Sequence, residues 1–358
     1  MSTILRSMYL PIYVTMPTHW TWGNYVKRQH PKSMAPMKLF SRTIRILPIQ
    51  IQGCLQNGQS EAQIPNTQTI TVHPVRQKYG LVNSLMTAQS PLQQNKKFPV
   101  SDDDIIHYSA IVELGHSAQH KKTLGVKYPE VHYNYQSLGE SLMPGGKVDN
   151  FLIPCFCRML FKEKHPASSG RHYFFPHVGE AILKYNVVRN DGVVRSSFLG
   201  ATKASRGRNL ASGDNRLFFP IVDSGHWFVF VVDFEFDLFA FLDSFHEMDS
   251  IFHQRMKDSL IDNFIHLWEL IISPDHNFGK FKAMYPNVPK QETLVDCGVF
   301  AMKFMEIWKP YLNMRRFFSH QDILNIRVQY ANKLYFLSEN EADLTLVLDF
   351  YGNVCILF

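Results

Sequence analysis

The stretch Trp227-Phe-Val-Phe-Val-Val232, then the acidic turn residues Asp233, Glu235 and Asp237, then Leu238-Phe-Ala-Phe-Leu242 decides how this chain must fold. Both apolar runs are rich in β-branched and aromatic residues, which fit a pleated surface, and the turn between them predicts a tight antiparallel hairpin. Leu217-Phe-Phe-Pro-Ile-Val222, just upstream, predicts a neighbouring strand. If the turn centres near residues 235 and 236, position 228 faces position 243 across the ladder. His226 and Asp243, seventeen residues apart in sequence, then leave the hairpin at the same end and can meet in space.

Downstream, Pro289-Lys-Gln-Glu-Thr-Leu-Val-Asp-Cys-Gly298 precedes a run in which Cys297, Phe300, Ala301, Phe304, Met305 and Trp308 recur at helical spacing. Asp296 is a natural N-cap, which puts Cys297 in the first turn. Free N–H groups and the macrodipole there favour an anion and lower a thiol's pKa. A thiolate, an imidazole and a carboxylate that orients the imidazole form the nucleophile–base–orienter set of acyl-transfer enzymes. Gln291, six residues before Cys297, brings a side-chain amide that could join the Cys297 backbone N–H in an oxyanion hole. Taken singly, each residue has a plainer reading. Free cysteines are usually small buried hydrophobes. His226 could be a polar strand-start residue, Asp243 an ordinary turn former and Trp227 a core residue. A glutamine in a Pro/Lys loop is commonplace, so Gln291 is the least specific of the set. Four parts in this order outweigh those readings.

Outward from this centre, Pro144-Gly145-Gly146 predicts a turn, and Asp149 or Asn150 could cap the helix that begins near Phe151. That helix, through Phe161, is apolar nearly all round and so buried on several sides. Further helices are predicted after Pro176, from Asp249 to Ile272 with its core-packing stripe, and from Gln321 to Asn340. His246 and His253 are read as flanking the second of these. Residues 203–216 read as a polar surface connection. Residues 102–140 give no clear assignment. Leu344-Thr-Leu-Val-Leu348 and Val354-Cys-Ile-Leu-Phe358 are expected to be strands or an apolar tail.

The 358 residues are 45% hydrophobic, 13% aromatic and 19% charged, which excludes disorder of the whole chain. No apolar run reaches the roughly 18 residues of a membrane span. The five cysteines include no C-x-x-C pair, so neither a disulfide framework nor a zinc site is signalled. His116 and His120 stand four apart without an accompanying Glu or Cys and read as surface residues. No metal or organic cofactor is expected. The net charge of +6 is uneven: residues 1–101 hold eleven Lys and Arg against one acid, Glu61, and ten glutamines fall between Gln50 and Gln94. Residues 1–101 are therefore expected to form a basic, Gln/Pro-rich, disordered extension, with residues 102–358 as the folded domain. Such an arm could contact nucleic acid electrostatically or act as a transit peptide; a solvated extension is the simplest reading. A reducing compartment, nucleus and/or cytoplasm, is expected, as is a monomer.

These motifs resemble the ubiquitin-like-protein-specific (SUMO/sentrin-specific) cysteine proteases, a branch of papain-like folds. The resemblance rests on Phe218-Phe-Pro-Ile221, Gly225-His226-Trp227, Leu242-Asp243-Ser244 and Gln291-x-x-x-x-Asp296-Cys297-Gly298, and covers about residues 135–335. It implies an α+β fold, an antiparallel-rich sheet packed on helices with Cys297 heading a central helix. It implies hydrolysis after the C-terminal Gly-Gly of a ubiquitin-like modifier, SUMO first among them, with Trp227 roofing a channel that admits only glycine. Pro144-Gly-Gly-Lys-Val-Asp-Asn150 resembles the family's segment leading into its first helix, so Asp149 and Asn150 are implied substrate-binding residues. This sequence has Lys147-Val148-Asp149-Asn150 where the family usually carries a tryptophan before an Asn-Asp-like pair, and Thr293 in place of an asparagine. Those departures resemble a divergent branch found in plant genomes, often near transposable elements. A different class of function, a catalytically decayed modifier-binding or chromatin-associated protein with a basic arm, is the alternative.

Overall fold

In the computed structural model the described residues are residue 92 and residues 97–351, apart from 207, 208 and 212. The expectation for the basic extension lies almost wholly outside them, as does that for Val354–Phe358. Helix α1 (Asp102–His116) opens the folded part, capped by Ser101, and is followed by the short strands β1 (Leu124–Lys127) and β2 (His132–Asn134), paired antiparallel. Then come α2 (Tyr135–Leu142), α3 (Leu152–Glu163), α4 (Pro166–Ser169), β3 (Arg171–Tyr173), α5 (Pro176–Leu183) and α6 (Gly192–Ala204). Next in the chain are β4 (Arg216–Asp223), β5 (His226–Asp233), β6 (Leu238–Leu242), α7 (Ile251–Ile271), β7 (Lys282–Met284), α8 (Cys297–Ile307), α9 (Ile323–Tyr335) and α10 (Thr345–Leu348). The architecture is α+β, as the sequence implies.

Five strands form one sheet in the order β3-β4-β5-β6-β7. The long pairings, β4 with β5 and β5 with β6, are antiparallel, and the short edge strands β3 and β7 join in parallel. Strand β5 lies at the centre, and its composition explains why. Trp227, Val229 and Val231 enter one core with α3, α8 and α9, while Phe228, Phe230 and Val232 enter a second with α5, α6 and α7. A strand covered on both faces needs apolar residues at every position. Each such side chain contributes roughly 1.5–3 kcal/mol on burial. The acids at the 233–238 turn are used too: Asp233 Oδ1 accepts from the backbone N–H of Glu235 and Phe236, and its Oδ2 pairs with Arg216 at 2.6 Å.

Several expectations change. Residues 102–140 resolve into two helices and a small hairpin, their apolar residues packing on α9 rather than following one period. Residues 203–204 close α6, a helix that the polar Gly192–Ala204 pattern does not announce. The Leu344–Leu348 segment is a short helix, not a strand: Asp343 accepts from Thr345 N and Oγ1, turning the chain at its start. Phe98, ahead of the first helix, is buried against Lys303 and its carbonyl accepts from Asn325.

Helix α9 carries a buried arginine, Arg327, 1% exposed, whose guanidinium reaches Ser141 O, Gly146 O (both 2.7 Å) and Asp296 Oδ1 (2.6 Å). Removing one partner of such a pair strands the other charge in the interior. Arg327→Met is expected to lower unfolding free energy by about 3–5 kcal/mol in urea titration; a loss below about 1 kcal/mol would be surface-pair behaviour and would contradict this account.

Candidate active site

Two local features deliver His226. Asp223 pairs with His226 across a two-residue turn in which Ser224 (φ 50°) and Gly225 (φ 79°) both take positive φ. Two positive-φ residues make the turn whose twist suits a tight hairpin, and glycine takes one of them without strain. The neighbouring strand β6 delivers Asp243 at that same end of the sheet. Val229 pairs with Leu242, so position 228 falls opposite 243, the register read from the sequence. Asp243 Oδ1 accepts from the backbone N–H of Phe245 (2.7 Å) and His246 (3.0 Å), which ends β6, and from His226 Nε2 at 2.9 Å. The turn-forming and charge-orienting readings of Asp243 are therefore both realised by one carboxylate.

Cys297 is the first residue of α8, buried at 1% exposure, and lies close enough to His226 to raise the ring's pKa. His226 thus stands between thiol and carboxylate. Burial of the ring disfavours its charge, but the hydrogen bond to Asp243, the closeness of Cys297 and the charges on both outweigh it, so its pKa rises to about 9. Burial alone would raise the Asp243 carboxyl; its bond to His226, the adjacent His253 and the Phe245 N–H hold it well below the usual range. At neutral pH the ring is therefore held as an imidazolium against the Asp243 carboxylate.

The segment before Cys297 departs from expectation in one respect. Asp296 occupies the N-cap position but makes no capping hydrogen bond. Its carboxylate turns instead to Arg327 and to the Thr293 hydroxyl, because a buried guanidinium is the stronger partner. Gln291 is fixed at both ends: its N–H donates to Ser244 O (2.9 Å), its Oε1 accepts from Ser244 Oγ (2.6 Å) and its Nε2 donates to Thr293 O (2.7 Å). One amide proton remains uncommitted by that last bond.

The residues implied as substrate-binding have structural partners. Trp227, 1% exposed, donates its indole N–H to Val148 O at 3.1 Å and lies beneath that segment. Asp149 Oδ1 accepts from Phe151 N (2.8 Å), Leu152 N (3.2 Å) and the Tyr133 hydroxyl (2.5 Å), so it starts α3 from two positions ahead of the N-cap residue. Asn150 is exposed. Cys155 and Cys157 are buried in α3 with raised pKa values, desolvation being the first cause. Donor atoms of His226, Asp243 and His246 lie within 4.8 Å of one another. Asp243 Oδ1 already receives three N–H donors, however, so the group is read as a hydrogen-bonded cluster. His253, which the sequence reading takes only as a residue flanking this helix, lies within its first turn; the signal for it is its place on the apolar stripe of α7, three residues before Met256 and seven before Leu260.

Residues 208–341 match the sequence model of the Ulp1 protease family, C-terminal catalytic domain. This part of the chain resembles the catalytic domain of that protease family. The fold is similar to that of the C-terminal Ulp1 protease domain solved in complex with Smt3, the yeast ortholog of SUMO, at 15% identity and a TM-score of 0.53, covering 69% of this chain and 97% of that one. It is also similar to the catalytic domain of the Chaetomium thermophilum Ulp1-like SUMO protease, at 13% identity and a TM-score of 0.50, covering 68% and 91%. No curated protein sequence matches the chain.

Two outcomes test this geometry. A histidine whose pKa is raised by folding contributes stability that is complete below its unfolded value of 6.5 and is lost as pH passes through about 9. Urea midpoints are therefore expected to fall across that interval, and His226→Phe to remove that part of the slope; an unchanged slope would refute the pairing. Second, a Cβ on Gly298 would lie 2.4 Å from Val148 Cβ. Gly298→Ala is expected to destabilise by about 1–3 kcal/mol in urea titration, with partial recovery in the Gly298→Ala/Val148→Ala double variant.

Proposed function

We propose that this chain is a thiol peptidase and isopeptidase that cuts after the C-terminal Gly-Gly of a ubiquitin-like modifier, SUMO first among them, in precursor processing or deconjugation. The single observation that carries the reading is His226, hydrogen-bonded to Asp243 at 2.9 Å and interacting on its other side with Cys297 at the head of α8. The similarity to a Ulp1 domain solved with a SUMO ortholog supports the choice of modifier.

In the proposed chemistry the Cys297 sulfur attacks the glycine carbonyl carbon, and the carbonyl electron pair moves to oxygen. That oxyanion is met by the Cys297 backbone N–H, at the free end of a helix, and by the remaining amide proton of Gln291. The imidazolium of His226 gives its proton to the departing amine as the C–N bond breaks, leaving a thioester. Now neutral, His226 takes a proton from water, whose oxygen attacks the thioester and releases the modifier acid and the Cys297 thiolate, with the imidazolium re-formed beside it. Asp243 keeps the ring's tautomer and direction through both halves. Trp227 would form the fixed wall behind Val148 along which the glycines pass, and Asp149 and Asn150 would border the tail. The chain is proposed to act as a monomer in the nucleus or cytoplasm, with the basic sequence of residues 1–101 capable of salt-sensitive contact with nucleic acid. Assignment to the plant, transposon-associated branch rests on Lys147-Val148-Asp149-Asn150 and Thr293 alone.

An intact set of four parts speaks against the decayed-binder alternative. Cys297→Ala and His226→Ala are expected to abolish cleavage of a modifier precursor while folding survives. Asp243→Asn is expected to lower kcat by roughly four orders of magnitude and Gln291→Ala by about 10²–10³. A panel of modifier vinyl-sulfone probes should label the parent protein at Cys297 and leave Cys297→Ala unlabelled. Full cleavage by a purified Cys297→Ala variant would end the reading.

A further inference from the structure

Asp243 is approached from two sides, and only one of them belongs to the proposed triad. Its Oδ1 takes the three N–H donors described above. Its Oδ2 has no well-aligned donor among the described residues, and the group beside it is His253 Nε2, 3.2 Å away. His253 sits in the first turn of α7 with 1% exposure, its backbone N–H held by Ser250 Oγ at 3.2 Å. Its ring lies among Phe228, Phe241, Phe252 and Tyr285, at centroid distances of 5.0–6.5 Å.

That position does not need a histidine for packing. The rest of the stripe, Met256, Leu260, Phe264 and Leu267, is apolar, and a phenylalanine would suit an aromatic cage. A histidine there leaves Nδ1 buried without a hydrogen-bond partner among the described residues, which costs free energy that an apolar ring would not. An offsetting contact is required, and Asp243 Oδ2 is the polar group within reach. We propose that His253 is a positioning residue: it steadies the Asp243 carboxylate from the face opposite His226 and so fixes the direction of the imidazole that serves Cys297. This inference rests on the thiol-peptidase reading of the site.

Other charged and titratable groups around Asp243 act elsewhere. Lys290 Nζ donates to the backbone carbonyls of Asp243 (3.3 Å) and His246 (2.7 Å) and pairs with Glu247. The His246 ring stacks on Phe252 at 4.0 Å and meets His226 edge-on. Neither side chain is paired with Oδ2, which leaves that oxygen to His253.

The test compares three substitutions in the full chain. A glutamine amide nitrogen reaches about as far from the backbone as Nε2 of histidine, an asparagine amide only as far as Nδ1. His253→Phe and His253→Asn are expected to lower kcat by about 10- to 100-fold, the range for a misplaced catalytic group, with KM within twofold of the parent. His253→Gln is expected to recover most of the loss. The His226 ring N–H bonded to Asp243, read by nitrogen-edited NMR, should be sharp in the parent and the Gln variant and broadened in the Asn and Phe variants. Equal kcat in the Asn and Gln variants, or an unmoved His226 signal in both the Asn and Phe variants, would overturn the inference. Should Cys297→Ala stay inactive in that case, the peptidase reading survives without it; an active Cys297→Ala would remove both.

Discussion

The structure depends on one buried contact, the guanidinium of Arg327 against the carboxylate of Asp296. Asp296 is the residue before Cys297, so the pair decides where α8 begins. The same guanidinium holds Ser141 O at the end of α2 and Gly146 O in the turn that follows. The planar guanidinium, with its donors spread over separate nitrogens in a fixed fork, spans these acceptors from one side chain. Three segments far apart in sequence are brought to one point, and that point is beside the sulfur. Buried ion pairs are poor sources of net stability compared with apolar packing. Their use here is positional, since the register of a helix start cannot be set by non-directional contacts.

Around that point the sheet supplies the rest. A central strand buried on both faces is rigid, because every side chain along it is packed and every backbone group from Asp223 to Asp233 lies within a ladder or turn. His226 is the last residue of that strand toward the site and the only polar one before Asp233. Rigidity matters to the arrangement: interactions among Cys297, His226 and Asp243 gain strength from partial exclusion of water only if their geometry is held without reorganisation.

Much of this was legible in the sequence. The hairpin register followed from two apolar runs and an acidic turn, and with it the meeting of His226 and Asp243. The place of Cys297 followed from helical spacing and a capping-type residue. What could not be read is what depends on partners far along the chain. Asp296 looks like an N-cap, and only the presence of Arg327, thirty-one residues later, turns its side chain inward. α6 is weakly patterned because its buried residues, Val194, Phe198 and Ala201, are few. His253 reads as one more polar residue at a helix start until α7 is laid against β6. Asp149 illustrates the same limit at short range: its type announced a helix start, but not that Tyr133 would share the carboxylate.

The segment in which this sequence departs from the pattern of the proteases it resembles, Lys147 to Asn150, lies at the same crossing. Val148 presses on Gly298, leaving no space for a Cβ, and its carbonyl holds the Trp227 indole. Asp149 begins α3 and receives the Tyr133 hydroxyl. A change of side chain here alters the packing against the first turn of α8. Under the proposed function, modifier recognition and nucleophile placement would be coupled through Val148. Divergence in this segment must preserve a close fit to Gly298 even while it alters what the tail meets, and a small β-branched residue at 148, with an acid after it to start the helix, satisfies both requirements at once.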